Sequence, residues 1–201
     1  NDQVKIVEVR GRSKSGAVLK ADGLIAPLDD TAEVRVNVDV KEAPIDEALQ
    51  AAFGPGRQDL FPTLFNESHY RQLLDAGLIQ TPEQAAAAAD ALASRERDLA
   101  QAAPEQAASL NADIAALRRR LPVPVFRFRG KADVLVNVLS PRGRDSGYKV
   151  GIDIRIPDAG IVPGKFPLPV HARDVRVVVE NESGRLVSGT FSAVGGGDAT
   201  V

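Results

Sequence analysis

The chain offers few side chains with reactive chemistry. It has two histidines, His69 in "ESHYRQLLD" and His171 in "PVHARD", and no cysteine. Disulfides, thiolate catalysis and cysteine-ligated metals are therefore excluded. A zinc site would need carboxylates at a ligand spacing that neither histidine stretch offers. Both histidines read as surface or capping residues. Ser68, His69 and Asp75 lie near one another in sequence, but a triad is defined by geometry, and no Gly-x-Ser-x-Gly elbow is present. Gly195-Gly196-Gly197 lacks the following helix and the Gly-Lys-Ser/Thr signature of a phosphate loop and reads as a turn between strands. Arg118-Arg119-Arg120 could meet phospholipid headgroups, although three basic residues at a helix end usually form a solvated cap. The expectation is a protein without catalytic, cofactor-binding or metal-binding residues.

The elements that could give these residues a role come next. The chain has 201 residues, 44% of them apolar, which suits one sizeable core, with room for an inserted piece. Its 25 basic and 27 acidic residues give a formal net charge of -2, which supplies no drive toward nucleic acid or anionic membrane. Apolar stretches fall short of the roughly 20 residues a membrane helix needs. The chain starts at Asn1 and contains no methionine, so it reads as a segment of something longer.

Residues 4 to 40 read as three strands, the first opening at Val4, Ile6 and Val9 and broken at Gly16, the second spanning 17 to 26. After Pro27-Leu28-Asp29-Asp30, the stretch "AEVRVNVDV" puts Val34, Val36, Val38 and Val40 on one face of a strand. A short helix follows, with Pro44 in its first turn, Ile45, Ala48, Leu49, Ala52 and Phe53 on one face, and Gly54-Pro55-Gly56 as its stop. Residues 58 to 121 turn helical: a helix from Glu67 to Ala76 capped by Gly77, then a capping box at Thr81-Pro82-Glu83-Gln84. Ala85, Leu92 and Leu99 form one seam and Leu110, Ile114, Leu117 and Leu121 another, with Pro104 between them. This predicts an antiparallel helical hairpin, with one kinked helix as the alternative.

From Val123 the period returns to two. Val134, Val136 and Val138 alternate in "ADVLVNVLS", and Val150, Ile152, Ile154 and Ile156 in "YKVGIDIRI"; "ARDVRVVVE" and "GRLVSGTFSAV" complete four or five strands. The prolines of "GKFPLPVHARD" form an entry step from Phe166 to Pro169 into a hairpin beginning at Val175 and turning at Glu182-Ser183-Gly184. Residues 34 to 45 also overlay 150 to 161, with Ala43 on Ala159 and Ile45 on Ile161, and Arg10-Gly11-Arg12 resembles Arg129-Gly130-Lys131. Such a repeat would mean an elongating sheet whose units share one dry face.

These phrases, "RGRSKSGAVLKADGLIAPL", "VRVNVDVKEAPIDEALQAAF", "FRGKADVLVNV" and "FPLPVHARDVRVVVENESGRLVSGTFSAVGGG", resemble the AsmA-like and TamB-like repeating β-groove proteins of the bacterial cell envelope. The resemblance covers residues 4 to 57 and 123 to 201. It implies a twisted, mostly antiparallel sheet curled into a groove, apolar inside and polar outside, along which envelope lipids pass. It also implies a periplasmic setting, an inner-membrane anchor in the full-length protein, neighbouring repeats of the same longer chain as partners, and membrane contact only through parts outside this segment. The helical segment departs from the pattern and reads as a lid or docking surface.

The expected fold is therefore α+β, a mainly antiparallel curled β-sheet with an inserted α-helical hairpin. The expected units are 1–57 (first β unit with its short helix), 58–121 (inserted helices) and 122–201 (second β unit, packed with the first). The candidate lipid-facing groove consists of Val34, Val36, Val38, Val40, Val134, Val136, Val138, Val150, Ile152, Ile154 and Ile156. The alternative is an extracytoplasmic structural or adhesion module, a β-sandwich with a closed core, because alternation reports one dry face without saying what covers it.

Overall fold

The computed structural model describes residues 2–29, 31–52, 63–142, 147–165, 168–180 and 183–201. The alternating segments form β1 (Val4–Arg12), β2 (Val18–Ala26), β3 (Glu33–Pro44), β4 (Arg129–Ser140), β5 (Lys149–Ile161), β6 (Val170–Glu180), β7 (Ser183–Ala193) and β8 (Asp198–Thr200). They lie side by side in sequence order as one open, curled, antiparallel sheet. The fold is α+β as the sequence implied. No second sheet faces the first among the described residues, so the closed sandwich is not the architecture here.

Among the described residues, four helices lie between β3 and β4: α1 (Glu47–Ala52), α2 (Glu67–Asp75), α3 (Pro82–Gln101) and α4 (Pro104–Arg120). The two β stretches nevertheless join into one sheet through β3 and β4, which pair from Val34↔Ser140 to Pro44↔Lys131. The α3–α4 hairpin is antiparallel, as Arg118–Glu96 (2.8 Å) and Arg95–Asp113 (3.9 Å) ion pairs across it require. Thr81 caps α3 reciprocally with Gln84, and Pro104 starts α4 instead of kinking a single helix. The hairpin packs chiefly on itself, with Ile114 its buried side chain, and is rooted by a short clasp. In that clasp the Gln80 amide donates to Pro124 O (2.9 Å), the Phe126 amide donates to Gln80 O (2.8 Å), and Gln80 Nε2 donates to Val123 O (2.7 Å).

Several details differ from the sequence reading. Pro44 ends β3 and does not enter the first turn of α1; the turn is set instead by Asp46, whose Oδ1 accepts from the Leu49 amide at 3.0 Å. β6 starts at Val170, immediately after Pro169, and not at Val175, because its pairing with β5 already runs from Ile161↔Val170. Arg10-Gly11-Arg12 closes β1 whereas Arg129-Gly130-Lys131 opens β4, so that part of the apparent repeat joins non-equivalent positions. The expectations for Asp30, Phe53, Gly54-Pro55-Gly56, Phe166, Pro167, Glu182 and the Arg120 side chain lie outside the described residues.

The other half of the repeat has a structural counterpart. β3 and β5 flank β4, and each carries extra residues near the same level: Lys41 and Glu42 opposite Asp133, and Ile156 and Pro157 opposite Ala132. β6 adds Asp174 and Val175 opposite Gly189. Bulges bend a strand and increase its twist, so this line of bulges creases the sheet across its width. Glu42 and Asp174 hold positive φ values of 55° and 51° at the crease. Asp133 secures it, accepting from the Glu42 amide (3.0 Å) and from Lys41 Nζ (3.2 Å). Burial pushes the Asp133 carboxyl up, but those two donors outweigh it, and the net shift is downward.

Candidate functional site

The pairing registers turn separate valine runs into rows that cross the sheet. One row is Val9, Ala21, Val38, Val136, Ile152, Val179 and Gly184, from β1 to β7. The next is Leu19, Val40, Val134, Ile154, Val177 and Leu186. A third contains Ile6, Gly23, Val36, Val138 and Val150. The longest row spans about 29 Å at roughly 4.8 Å per strand. All eleven candidate groove residues fall on this one face, because each strand keeps period two as far as the crease. Ile156 is the one that lies within it, in the β5 bulge.

Two buried clusters form at and past the crease. Near it, Ile45, Ala132, Val134, Ile154 and Ala159 form a buried cluster against which Leu49 of α1 and Phe65 pack. Beyond it, Ile79, Phe126 and Val162 form a second cluster with Tyr70, Leu73 and Leu74 of α2. Tyr70 stacks on Phe128 at 4.3 Å, and Phe65 meets Phe128 edge-on at 6.3 Å. Small residues make this close approach possible: Ala43, Ala132, Ala159 and Ala172 are all buried. A Cβ at Gly160 would overlap the Arg127 carbonyl oxygen and come within 2.8 Å of Phe126. The helical segment therefore builds a wall at one end of the face. Away from it, Val34, Val36, Val38, Val136, Val138, Val150 and Ile152 are half-buried, and no helix makes an extended contact over them among the described residues.

The opposite face carries the charges. Arg176 grips Asp153 through Nη2 to Oδ2 (2.7 Å) and Nε to Oδ1 (3.1 Å), which holds the Asp153 carboxyl below its usual range. A hollow of about 920 Å³ lies on this polar side of β1–β4, with Lys5, Lys20, Asp22, Arg35, Asn37 and Asp39 in its lining. Long lysine and arginine side chains rise around short Asn37 and Asp22, whereas the valine face is a broad floor of short side chains.

The residues first considered for chemistry are not assembled into a site. Among the described residues, no hydrogen bond joins Ser68, His69 and Asp75, and no group of three or more histidines and carboxylates could hold a metal ion. His69 takes its place in the α2 cap, its amide donating to Asn66 Oδ1 at 3.0 Å. His171 is half-buried and packs on Phe126 at 5.0 Å between ring centroids. Arg118 is drawn sideways to Glu96 across the hairpin. The sequence reading missed the aromatic wall, because Phe65, Tyr70, Phe126 and Phe128 lie in irregular or helical segments with no shared period. Searches against protein families, curated proteins and solved structures return no match to this chain.

Proposed function

We propose that this chain is a non-catalytic segment of an AsmA-like protein of the bacterial envelope, and that its valine and isoleucine floor carries the acyl chains of a phospholipid or other envelope lipid. The observation that supports this reading is the half-buried apolar face, which crosses seven strands and has no opposing sheet among the described residues. A contiguous apolar surface of that extent is uncommon on a folded chain unless something binds it. Each Å² an acyl chain covers is worth about 25 cal/mol, and an alkyl chain needs no hydrogen bonds from a floor of valines. In this reading the protein works on the periplasmic side of an inner-membrane anchor, and neighbouring repeats extend the floor. The wall formed by α1, Phe65 and α2 limits the floor on one side.

The test is direct. Protein extracted gently in its full-length context should copurify with lipid detected by mass spectrometry, and delipidated protein should take up oleate with saturable stoichiometry. Lipid-free protein that ignores oleate would overturn the reading.

A further inference from the structure

The polar face of β1–β4 carries a pattern of its own, independent of the valine floor on the other side. Pairing sets Asp22, Asn37 and Asn137 in one row, which continues to Gly151, where no side chain rises. The rows to either side carry longer side chains, Lys5, Leu24 and Arg35 in one and Lys20, Asp39 and Leu135 in the other. Short side chains between long ones make a trough, and this is the hollow of about 920 Å³. Most of its charges are matched from within the chain. Glu8 meets Arg10 at 2.6 Å, Arg35 meets Glu33 at 2.5 Å and Asp39 meets Lys41 at 3.4 Å. Lys5 and Lys20 make no ion pair and the Asn137 side chain no hydrogen bond among the described residues. Lys20 adds only a minor pull on the Glu8 carboxyl, which its hydrogen bonds from Arg10 already hold below the usual range. Asp22 Oδ2 accepts from Asn37 Nδ2 at 2.9 Å, which leaves its charge without a cation and its Oδ1 without a donor among the described residues.

We infer that this trough binds an acidic oligosaccharide, whose hydroxyls meet Asp22, Asn37 and Asn137 and whose carboxylates meet Lys5 and Lys20. A hydroxyl both donates and accepts, and the row supplies a carboxylate that only accepts beside amides that do both. A small inorganic anion suits the row poorly, because the Asp22 carboxylate sits in it and would repel the anion. The cations instead flank that carboxylate. Lys5 lies beside Leu24, four residues along β2 from Lys20, so the two backbones are about 14 Å apart. A chain of sugars reaches both ammoniums, whereas a single sugar reaches one. Sugar rings also present an apolar face of C–H groups, and Leu24 and the 39% exposed Leu135 border the row to receive it.

Amide NMR titration with tetragalacturonate, a linear chain of uronate sugars, tests this. Binding should saturate, with the side-chain amide signals of Asn37 and Asn137 moving and that of Asn111, which donates to Ala107 O on the helical hairpin, staying still. The methyl ester of the same oligomer, which has no carboxylates, should bind about tenfold more weakly. Lys5→Gln with Lys20→Gln should weaken tetragalacturonate by about tenfold, and Asn137→Ala by about fivefold. Absence of saturable binding, or equal affinity for the methyl ester, would overturn the inference. A tetraglutamate peptide bound as tightly as tetragalacturonate would overturn it too, since the trough would then read charge without hydroxyls. An equal shift at Asn111 would place the ligand elsewhere and have the same force. The ester and peptide comparisons use the unsubstituted protein, so they decide the matter even where a variant fails to fold.

Discussion

A valine-to-threonine scan separates the covered from the uncovered floor, because the exchange replaces a methyl by a hydroxyl at nearly constant shape and keeps a β-branched residue in the strand. Val134 is 6% exposed and packed in the cluster with Ile45, Ala132, Ile154 and Ala159, with Leu49 and Phe65 against it. Its neighbouring backbone groups are engaged in the β3–β4 and β4–β5 ladders, so a hydroxyl there has no free partner. Val134→Thr should therefore cost about 1–3 kcal/mol, the penalty of an unpaired buried polar group. Val38 and Val136 lie one row away from the wall and are half-buried, with water able to reach a hydroxyl. Val38→Thr and Val136→Thr should each cost less than about 1 kcal/mol.

Urea unfolding reads both, as a shift in midpoint at unchanged slope. The ligand arm runs in the opposite sense. Combining Val38→Thr, Val136→Thr and Ile152→Thr aligns three hydroxyls along one row, and at about 1.4 kcal/mol per decade the loss for oleate should be at least tenfold. Val134→Thr, under the wall, should leave oleate affinity close to that of the parent. Equal destabilisation at Val38 and Val134 would mean that the floor is covered, and undiminished oleate binding by the triple variant would mean that acyl chains lie elsewhere. Either result refutes the reasoning.

Other perturbations test the architecture that frames the floor. Gly160→Ala should destabilise by about 3 kcal/mol or more in thermal unfolding, because its methyl collides with the Arg127 backbone, which cannot swing aside. Asp133→Asn should lower the melting temperature at neutral pH. The Asp133 pKa is depressed in the folded state, so its contribution is present above the unfolded value of about 3.9 and is lost as pH falls through the folded one, and the gap between variant and parent should close in strong acid. Thr81→Ala removes one arm of the capping box and should cost about 1 kcal/mol, seen as faster amide exchange in the first turn of α3 with the sheet unaffected.

The strands were legible because one physical rule governs them. Val34 to Val40, Val134 to Val138 and Val150 to Ile156 keep period two, and a residue that keeps it has one possible face. The hairpin was legible from its caps, Thr81 with Gln84 and Pro104 at a helix start, because these satisfy backbone groups locally. The covering of the floor was not legible. Phe65 reaches Phe128 across 63 positions, and the partners were chosen by chain reversal through the Gln80–Val125 bridge, which no local pattern records. The crease was half legible. The matching of Ala43 with Ala159 reflected it, but the extra residues at Glu42 and Pro157 appear only when β4 is placed between them.

That crease explains how one sheet supports two kinds of surface. An eight-stranded sheet with a uniformly apolar face would present about the same surface from end to end, inviting another copy to stack on it. Here the bulges at Glu42, Pro157 and Asp174 bend the strands where valines and isoleucines give way to alanines. On the alanine side, backbones come close enough for Phe126 and Val162 to be completely buried, and the chain supplies its own cover. On the valine side, no helix makes an extended contact with the face among the described residues. The core that stabilises the fold and the floor assigned to the ligand are thus built from the same strands but set apart along them. It follows that substitutions in the rows covered at the wall, from Val134 and Ile154 onward, should alter stability, and those in the rows of Val38 and Val36 should alter binding.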